Sequence, residues 1–335
     1  MWDRGQILVT GGAGFIGSAL VWALNQRGHD RILVVDRLDR TAKWRNLSPL
    51  RITDYLDADA LLGSLESLTD VAAVLHLGAC SSTTETDSAY LMRNNVEYTK
   101  TLADWALRRN VRFVYASSAA TYGARDGRVS EALPLDELRP LNAYGYSKHA
   151  FDLYASRHGL LDRITGLKYF NVFGPNEQHK GDMRSMVDKA FHQIAETGTV
   201  RLFRSERPEF ADGEQRRDFL YIKDAVEMTL HLAERAAHGL FNLGSGQSHS
   251  WLALTTAVFH AMGREPRVEF FDMPASLRAQ YQYDTCAAID RLLASGYTRP
   301  VTPLADAVRD YVQAYLIPDR RLGDPAPELP AGASA

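Results

Sequence analysis

The sequence predicts an α/β fold: a doubly wound parallel sheet carrying a smaller, discontinuous lobe. Three observations lead there. Short, near-continuous apolar runs alternate with stretches of helical spacing through the first half of the chain, as they do when crossover helices bury strands on both faces. The first apolar run stops in glycines and gives way at once to a helical stretch. After position 170 the alternation loosens into turn-rich and charged segments, which read as a second unit over the end of the sheet.

Taken in order, QILVTGG (6–12) is the first strand. FIGSALVWALNQRG (15–28) is a helix, with Gly28 suited to the left-handed residue that ends it. RILVVDR (31–37), LRITDY (50–55), AAVLHLGA (72–79) and RFVYASSAA (112–120) are further strands, and TKTLADWALRR (99–109) is a helix between the last two. Right-handed crossovers wind such units into an open sheet. FNVFGPNEQHKGDMRS is turn-rich, and RSERPEFADGEQRRD (204–218) reads as a charged surface loop. FLYIKDAVEMTLHLAE returns to strand and helix, and GLFNLGSGQ (239–247) to strand and turn. The last stretch, DRRLGDPAPELPAGASA (319–335), has few large apolar groups and is expected to be a disordered tail.

Bulk composition excludes several function classes. A net charge of −3 provides no basic field for nucleic acid. Two cysteines, Cys80 and Cys286, make no disulfide framework and suit a reducing cytoplasm. The start, MWDRGQILVTGG, has no apolar signal segment, and no apolar run approaches the ~20 residues a membrane helix needs. The ten histidines show no metal-ligand spacing, so no metal is expected.

TGGAGFIG places Gly11, Gly14 and Gly17 between strand and helix, with Phe15 and Ile16 opening the helix. Glycines there let the backbone approach a pyrophosphate, and the helix N-terminus offers N–H groups and a positive dipole. Asp36 closes the second strand at the distance a ribose-binding acid needs. The segment therefore predicts a Rossmann dinucleotide site. Asp36 favours a free 2′-hydroxyl, hence NAD, whereas Arg37 and Lys43 suit a 2′-phosphate, hence NADP. The expected division is 1–170 with 216–245 for the dinucleotide domain and 171–215 with 246–318 for a substrate-binding lobe.

NAYGYSKHAFD (142–152) puts Tyr144 and Lys148 one turn apart on a single helix face. A free phenol, with a pKa of about 10, is a poor base at neutral pH. A nearby ammonium and a cationic nicotinamide would stabilise its phenolate. Lys148 would also reach the nicotinamide ribose. VYASSAATYG offers Ser117 and Ser118 at a strand end to hold a substrate oxygen.

Glycine loop, strand-end serine and YxxxK in this order resemble the extended short-chain dehydrogenase/reductase superfamily, over about residues 6 to 316. That resemblance implies a catalytic triad of Ser118, Tyr144 and Lys148. Dehydratases of the superfamily carry an acidic pair after the strand-end hydroxyl; here Ala119 and Ala120 follow, which argues against elimination of water. GACSSTTETD (78–87), ASSAATYG (116–123), YGYSK (144–148), YFNVFGPNEQHKGDM (169–183), RRDFLYIKD (216–224), FNLGSG (241–246) and YQYDTCAAIDRLLASGY together resemble the ADP-glyceromanno-heptose 6-epimerases. The resemblance implies transient oxidation at C6 with two acid–base groups, Tyr144 and, from HKGDM, Lys180. A lysine used as a base needs a depressed pKa, which a closed apolar site would supply.

The same resemblance implies cofactor contacts from Leu77, Gly78, Ala79, Cys80, Ser81, Asn94 and Val172. It implies substrate contacts from Asn171, Asp182, Lys189, Phe203, Arg204, Ser205, Glu206, Arg217 and Tyr281. It implies one tightly bound NADP per subunit, with NAD as the alternative, an ADP-heptose substrate, and a cytoplasmic homo-oligomer, often a pentamer. Arg37, Ala58, Asp182 and Lys189 depart from residues common in the family, and the PEFADGEQ loop is longer than in many relatives. The rival readings are a UDP-hexose 4-epimerase of the same fold and a catalytically silent dinucleotide sensor.

Overall fold

The computed structural model describes residues 5–278 and 281–325. Five strands of the first half, β1 (Gln6–Thr10), β2 (Ile32–Asp36), β3 (Asp54–Asp57), β4 (Val71–His76) and β5 (Arg112–Ser118), join strands Thr165–Tyr169 and Gly239–Leu243 in one seven-stranded sheet. From one edge the order is Gly239–Leu243, Thr165–Tyr169, β5, β4, β1, β2, β3, and every pairing is parallel. The chain runs outward from β1 through β2 to β3, then crosses back to lay β4 on the other side of β1. The C-terminal ends of β1 and β4 thus flank the switch point where such sheets bind ligands.

Alternation within the strands builds two cores. Ile7, Val9, Ile32 and Val34 pack under helix α1 (Phe15–Gln26) and helix Ile222–Glu234, while Leu8, Leu33 and Val35 pack under helices Tyr98–Arg108 and Ala143–Arg157. The first core does not stop at the sheet. It continues through Val187, Ile194, Leu202, Val258, Phe259 and Tyr311 of the later segments. Two short pairings, Asn171–Phe173 with Phe219–Tyr221 and Arg216–Arg217 with His249–Ser250, cross the expected domain boundaries. The sheet and the later segments therefore share one continuous core.

Two local expectations are corrected. The third strand begins at Asp54 instead of Leu50, because the backbone of Arg51 is engaged by α1: its N–H donates to Asn25 Oδ1 (2.8 Å) and its carbonyl accepts from Asn25 Nδ2 (2.9 Å). The tail expected from residue 319 is packed at its start. Arg321 and Leu322 are buried, and the Leu322 N–H donates to Asn176 Oδ1 at 2.9 Å. Residues 326–335 of that expected tail lie outside the described residues.

Beneath the C-terminal ends of the strands sits an ion pair with no exposure at all. Lys168 Nζ lies 2.6 Å from Asp152 Oδ2. Tyr115 donates to Asp152 Oδ1 (2.8 Å), Ser117 to Asp152 Oδ2 (2.7 Å), and Lys168 also donates to Thr121 Oγ1 (2.7 Å). Removing one partner strands the other charge in the core. Lys168→Met is therefore expected to cost about 3–5 kcal/mol of stability, read as a lower denaturant midpoint; an unchanged midpoint would show that the pair does not hold the core.

Candidate active site

One cleft of about 1230 Å³ opens at the switch point, between the sheet and the later segments. At one end lies the glycine loop. β1 ends at Thr10, and α1 begins at Phe15 with Gly14 at its N-cap and no side chain capping its first N–H groups. Gly11 has φ +68°, open to glycine at no steric cost. A Cβ on Gly17 would fall 2.1 Å from the Gly11 carbonyl oxygen, so only glycine permits this close approach. Gly11, Gly14, Phe15, Ile16 and Gly17 all line the cleft. Bare N–H groups at the start of a helix, behind a loop of three glycines and Ala13, fit a pyrophosphate.

Asp36, at the end of β2, is tied into that loop. Its Oδ2 accepts from the Ala13 and Gly14 N–H groups (2.9 and 3.1 Å), and its Oδ1 accepts from Arg37 N (2.7 Å) and Lys43 Nζ (2.9 Å). Asp36 and Lys43 line the cleft. Arg37 and Asn94 do not stand on its wall. The Arg37 guanidinium is engaged by Asp59 Oδ1 (3.0 Å from Nε) and by Asn94 Oδ1 (3.3 Å). Leu77 to Ser81 form the next stretch of wall after β4. That stretch is held by Asn95, whose amide bonds both the N–H and the carbonyl of Cys80 and also donates to Ser147 Oγ in the helix Ala143–Arg157. Sequence reading chose Asn94. The wide helical turn at Met92–Glu97 brings Asn95 to this position, and no sequence signal marks that turn.

The helix Ala143–Arg157 is started by Asn142, whose side chain accepts from the Gly145 N–H at 2.8 Å. It presents Tyr144 and Lys148 to the cleft beside Ser118, the last residue of β5. Lys148 Nζ donates to the Ala116 carbonyl at 2.9 Å. Burial brings its ammonium down to about 8, against an opposing pull from Asp152. Burial pushes the Tyr144 phenol above its usual value, and a hydrogen bond with Ser118 pulls it back. The Lys148 ammonium is turned to the Ala116 carbonyl, and Ser118 is the group that eases the phenol's ionisation.

Lys180 comes to the same cleft from the loop between strand Asn171–Phe173 and helix Met186–Thr197. Its Nζ lies 5.1 Å from the Phe15 ring centre. Burial lowers its pKa, Glu177 opposes that shift, and Lys189 adds to it, the direction a basic lysine requires. His179, missed in the sequence, also lines the cleft and is pushed down to about 4 by burial and by Lys43 and Lys180, so it stands neutral. Asn171, Val172 and Lys189 are on the wall; Asp182 is exposed and off it.

The far end is aromatic and basic. Phe203 meets Phe271 (4.8 Å between ring centres) and Tyr281 (6.1 Å), and Trp251 Nε1 donates to the Tyr281 hydroxyl at 3.1 Å. Arg217 is buried behind this group, its guanidinium 5.1 Å from the Tyr281 ring and 5.6 Å from the Trp251 ring. It supports the wall without lining it. Arg204, Ser205 and Glu206 also fall outside the wall. Past Phe203 the chain leaves its strand for a turn in which Asp212 bonds Ser205 N (2.8 Å), Arg204 meets Asp272 (3.4 Å) and Glu206 meets Arg278 (2.7 Å). Arg201, Phe271 and Trp251 line the cleft instead. Pairing of Val200–Phe203 with the distant Val268–Phe271 brings in Phe271, a long-range contact that no local pattern announces.

Among the described residues no group of three His, Cys, Asp or Glu side chains could hold a metal ion, and no helix is long and apolar enough to cross a membrane.

Known proteins share this fold and much of this sequence. Residues 7–244 match the model of the NAD dependent epimerase/dehydratase family. An ADP-L-glycero-D-manno-heptose-6-epimerase of Nitratidesulfovibrio vulgaris (strain DP4) is 49% identical over 316 residues, which cover 92% of this chain and 97% of that protein. The crystal structure of the Helicobacter pylori ADP-L-glycero-D-manno-heptose-6-epimerase superposes with a TM-score of 0.79 at 28% identity, over 92% of this chain and 96% of that one. That of the Thermus thermophilus UDP-glucose 4-epimerase in complex with NAD superposes with a TM-score of 0.74 at 26% identity, over 92% and 97%. Gly17→Ala would drive a methyl group into the Gly11 carbonyl; the variant is expected to lose its nicotinamide dinucleotide on gel filtration. Wild-type retention, read by absorbance of the denatured eluate, would refute the close-approach account.

Proposed function

The chain belongs to the NAD dependent epimerase/dehydratase family, and from that premise we propose that it is an isomerase interconverting ADP-D-glycero-D-manno-heptose and ADP-L-glycero-D-manno-heptose at C6. The observation that carries this reading is that Tyr144 and Lys180, from different elements, line one cleft with Ser118 and Lys148 beside the tyrosine. Near full-length likeness to proteins named for this activity supports the substrate.

A nicotinamide dinucleotide supplies, when bound, the acceptor and donor of the C6 hydride. The glycine loop and α1 hold its pyrophosphate, Asp36 and the Leu77–Ser81 stretch its adenosine half, and Lys148 its nicotinamide ribose. Lys43 lines the cleft beside Asp36, and a cation there supports NADP over NAD; the Arg37 guanidinium would join it at a 2′-phosphate only by leaving Asp59 and Asn94.

Ser118 holds the C6 oxygen, and Tyr144 takes the hydroxyl proton of one epimer. The buried Lys148 ammonium sits one turn along the helix and supports the phenolate as it forms. Lys180 exchanges the proton of the other epimer. One fixed base serves one hydroxyl orientation; two groups on different elements serve both. Burial favours this use of Lys180, because lowering its pKa makes the ammonium a readier proton donor and the neutral amine more available as a base. Lys189, Arg184 and Arg201 meet the diphosphate, and the Phe203–Phe271–Tyr281 group receives the base. Family resemblance supports a cytoplasmic homo-oligomer, a pentamer being the expected form.

Incubation with ADP-D-glycero-D-manno-heptose and, separately, with a UDP-hexose tests the substrate; turnover of the UDP-hexose alone would end the heptose reading. Tyr144→Phe and Lys180→Met are each expected to lower the epimerisation rate about 10²–10⁴-fold with the dinucleotide still bound; a variant at wild-type rate would remove that residue from the chemistry. Mass analysis of the dinucleotide released on denaturation is expected to give NADP, and a mass of NAD would correct that assignment.

A further inference from the structure

We infer that Glu177 is a positioning residue for Lys180: a buried carboxylate that closes the loop carrying the lysine and keeps a negative charge behind its ammonium. The inference rests on the proposed role of Lys180 as the second acid–base group.

Glu177 has no solvent exposure. Its Oε1 accepts from Ser185 Oγ (2.6 Å) and from the Gly174 N–H (3.3 Å), and its Oε2 accepts from the Ser185 N–H (2.6 Å). Gly174 and Ser185 are the two ends of the loop on which Lys180 rides, so one carboxylate fastens them together. Ser185 is also the N-cap of helix Met186–Thr197, which carries Lys189. The clamp therefore fixes the lysine loop to the helix that follows it. Asn176 makes a second attachment, donating to Ser18 Oγ (3.0 Å) in α1 and accepting from the Leu322 N–H (2.9 Å). That attachment is uncharged; Glu177 joins position and charge in one group, burial pushing its pKa up while Lys180 and the two Ser185 hydrogen bonds act against that shift in favour of the carboxylate.

The charged surroundings make the carboxylate matter. Lys180 faces Lys189 from the following helix, the Phe15 ring from α1, and His179 beside it in the loop. Glu177 faces Lys180 and Ser185 on its own loop, Asp188 on helix Met186–Thr197, and Tyr311 on helix Leu304–Tyr311. Of the groups acting on Lys180, burial and Lys189 disfavour its charged form, and Glu177 favours it. The lysine must carry a proton in one direction of the reaction and lack it in the other. Without Glu177 the charged form would be undersupplied.

Two variants separate charge from clamp. Glu177→Gln keeps the shape, removes the charge and sets an amide N–H₂ against the N–H groups of Ser185 or Gly174. Ser185→Ala removes the hydroxyl's hydrogen bond to Glu177 and the N-cap bond from the Asp188 N–H, leaves the Ser185 N–H on Glu177, and keeps the charge. For Glu177→Gln the expected result is a kcat about 10²-fold lower, with dinucleotide content unchanged. The alkaline limb of the pH profile should move to lower pH in the direction that draws a proton from Lys180, because an ammonium without its carboxylate deprotonates earlier. For Ser185→Ala the expected result is a smaller loss with the limb in place. A purely structural role would lower the rate of both variants and leave both limbs unmoved, and that outcome would overturn the inference. If Lys180→Met is inactive while Glu177→Gln keeps the wild-type rate and profile, the inference fails and the role of Lys180 stands. If Lys180→Met is fully active, the role of Lys180 itself fails. Should Glu177→Gln not fold, a wild-type kcat for Ser185→Ala would still overturn the clamp.

Discussion

The catalytic face is set by the buried pair Lys168–Asp152. Asp152 lies one turn beyond Lys148 on the helix Ala143–Arg157, and it accepts hydrogen bonds from Tyr115 and Ser117 of β5. Helix and strand are thereby locked in one register. Lys168, from the neighbouring strand, reaches Thr121, and the Thr121 hydroxyl donates to the Ser118 carbonyl at 2.8 Å. Ser118, Tyr144 and Lys148 are thus three outputs of one polar network. Burying two charges is costly unless every remaining lone pair and proton is engaged, and here the carboxylate and ammonium find partners on β5, the helix and the turn after Ser118. A network of this kind tolerates few rearrangements, and that restriction gives the site its precision.

The sheet and half of the cleft were legible in the sequence because their causes are local. A glycine loop between strand and helix, an acid at the end of the next strand, and YxxxK on a helix are each determined by neighbours a few residues away. Most of the wall residues named from these motifs do line the cleft. Legibility fails where long-range pairing decides. Arg204, Ser205 and Glu206 follow Phe203 in sequence, but the strand ends there and Asp212 captures the next residues. Phe271 and Trp251 enter from strands and helices remote in sequence. Asn95, which holds the Cys80 backbone, is presented by a widened helical turn that composition does not reveal. Arg37 suits a phosphate by type, but which of its neighbours it meets depends on Asp59 reaching it from another segment.

The aromatic end of the cleft follows a different physical logic from the end that holds Tyr144. Ring planes and guanidinium groups dominate it: Arg201 lies 4.5 Å from the Phe271 ring centre, and Arg217 stands behind Tyr281 and Trp251. Arg217 is buried against the Tyr281 and Trp251 rings and stiffens the wall they form. Aromatic faces accept a flat base with little directional demand, while the exposed cations near it favour phosphate. The chain as a whole is slightly acidic, so this local cluster of positive groups is what would draw an anionic nucleotide to the cleft.

The two lysines nearest the chemistry obey a common rule with different settings. Burial disfavours the charged form of both, and each has a buried carboxylate acting against it: Asp152 for Lys148, Glu177 for Lys180. Their other neighbours differ. Lys148 gives a hydrogen bond to the Ala116 carbonyl, an acceptor that favours a fixed ammonium. Lys180 instead has a second cation, Lys189, which presses its proton off. A lysine held by a carbonyl and a carboxylate is suited to remain charged beside a phenolate. A lysine poised between a carboxylate and another ammonium is suited to trade its proton. In the proposed reaction the same residue type does two jobs in one cleft, and the two lysines differ both in burial, Lys148 buried and Lys180 half-buried, and in their second neighbour.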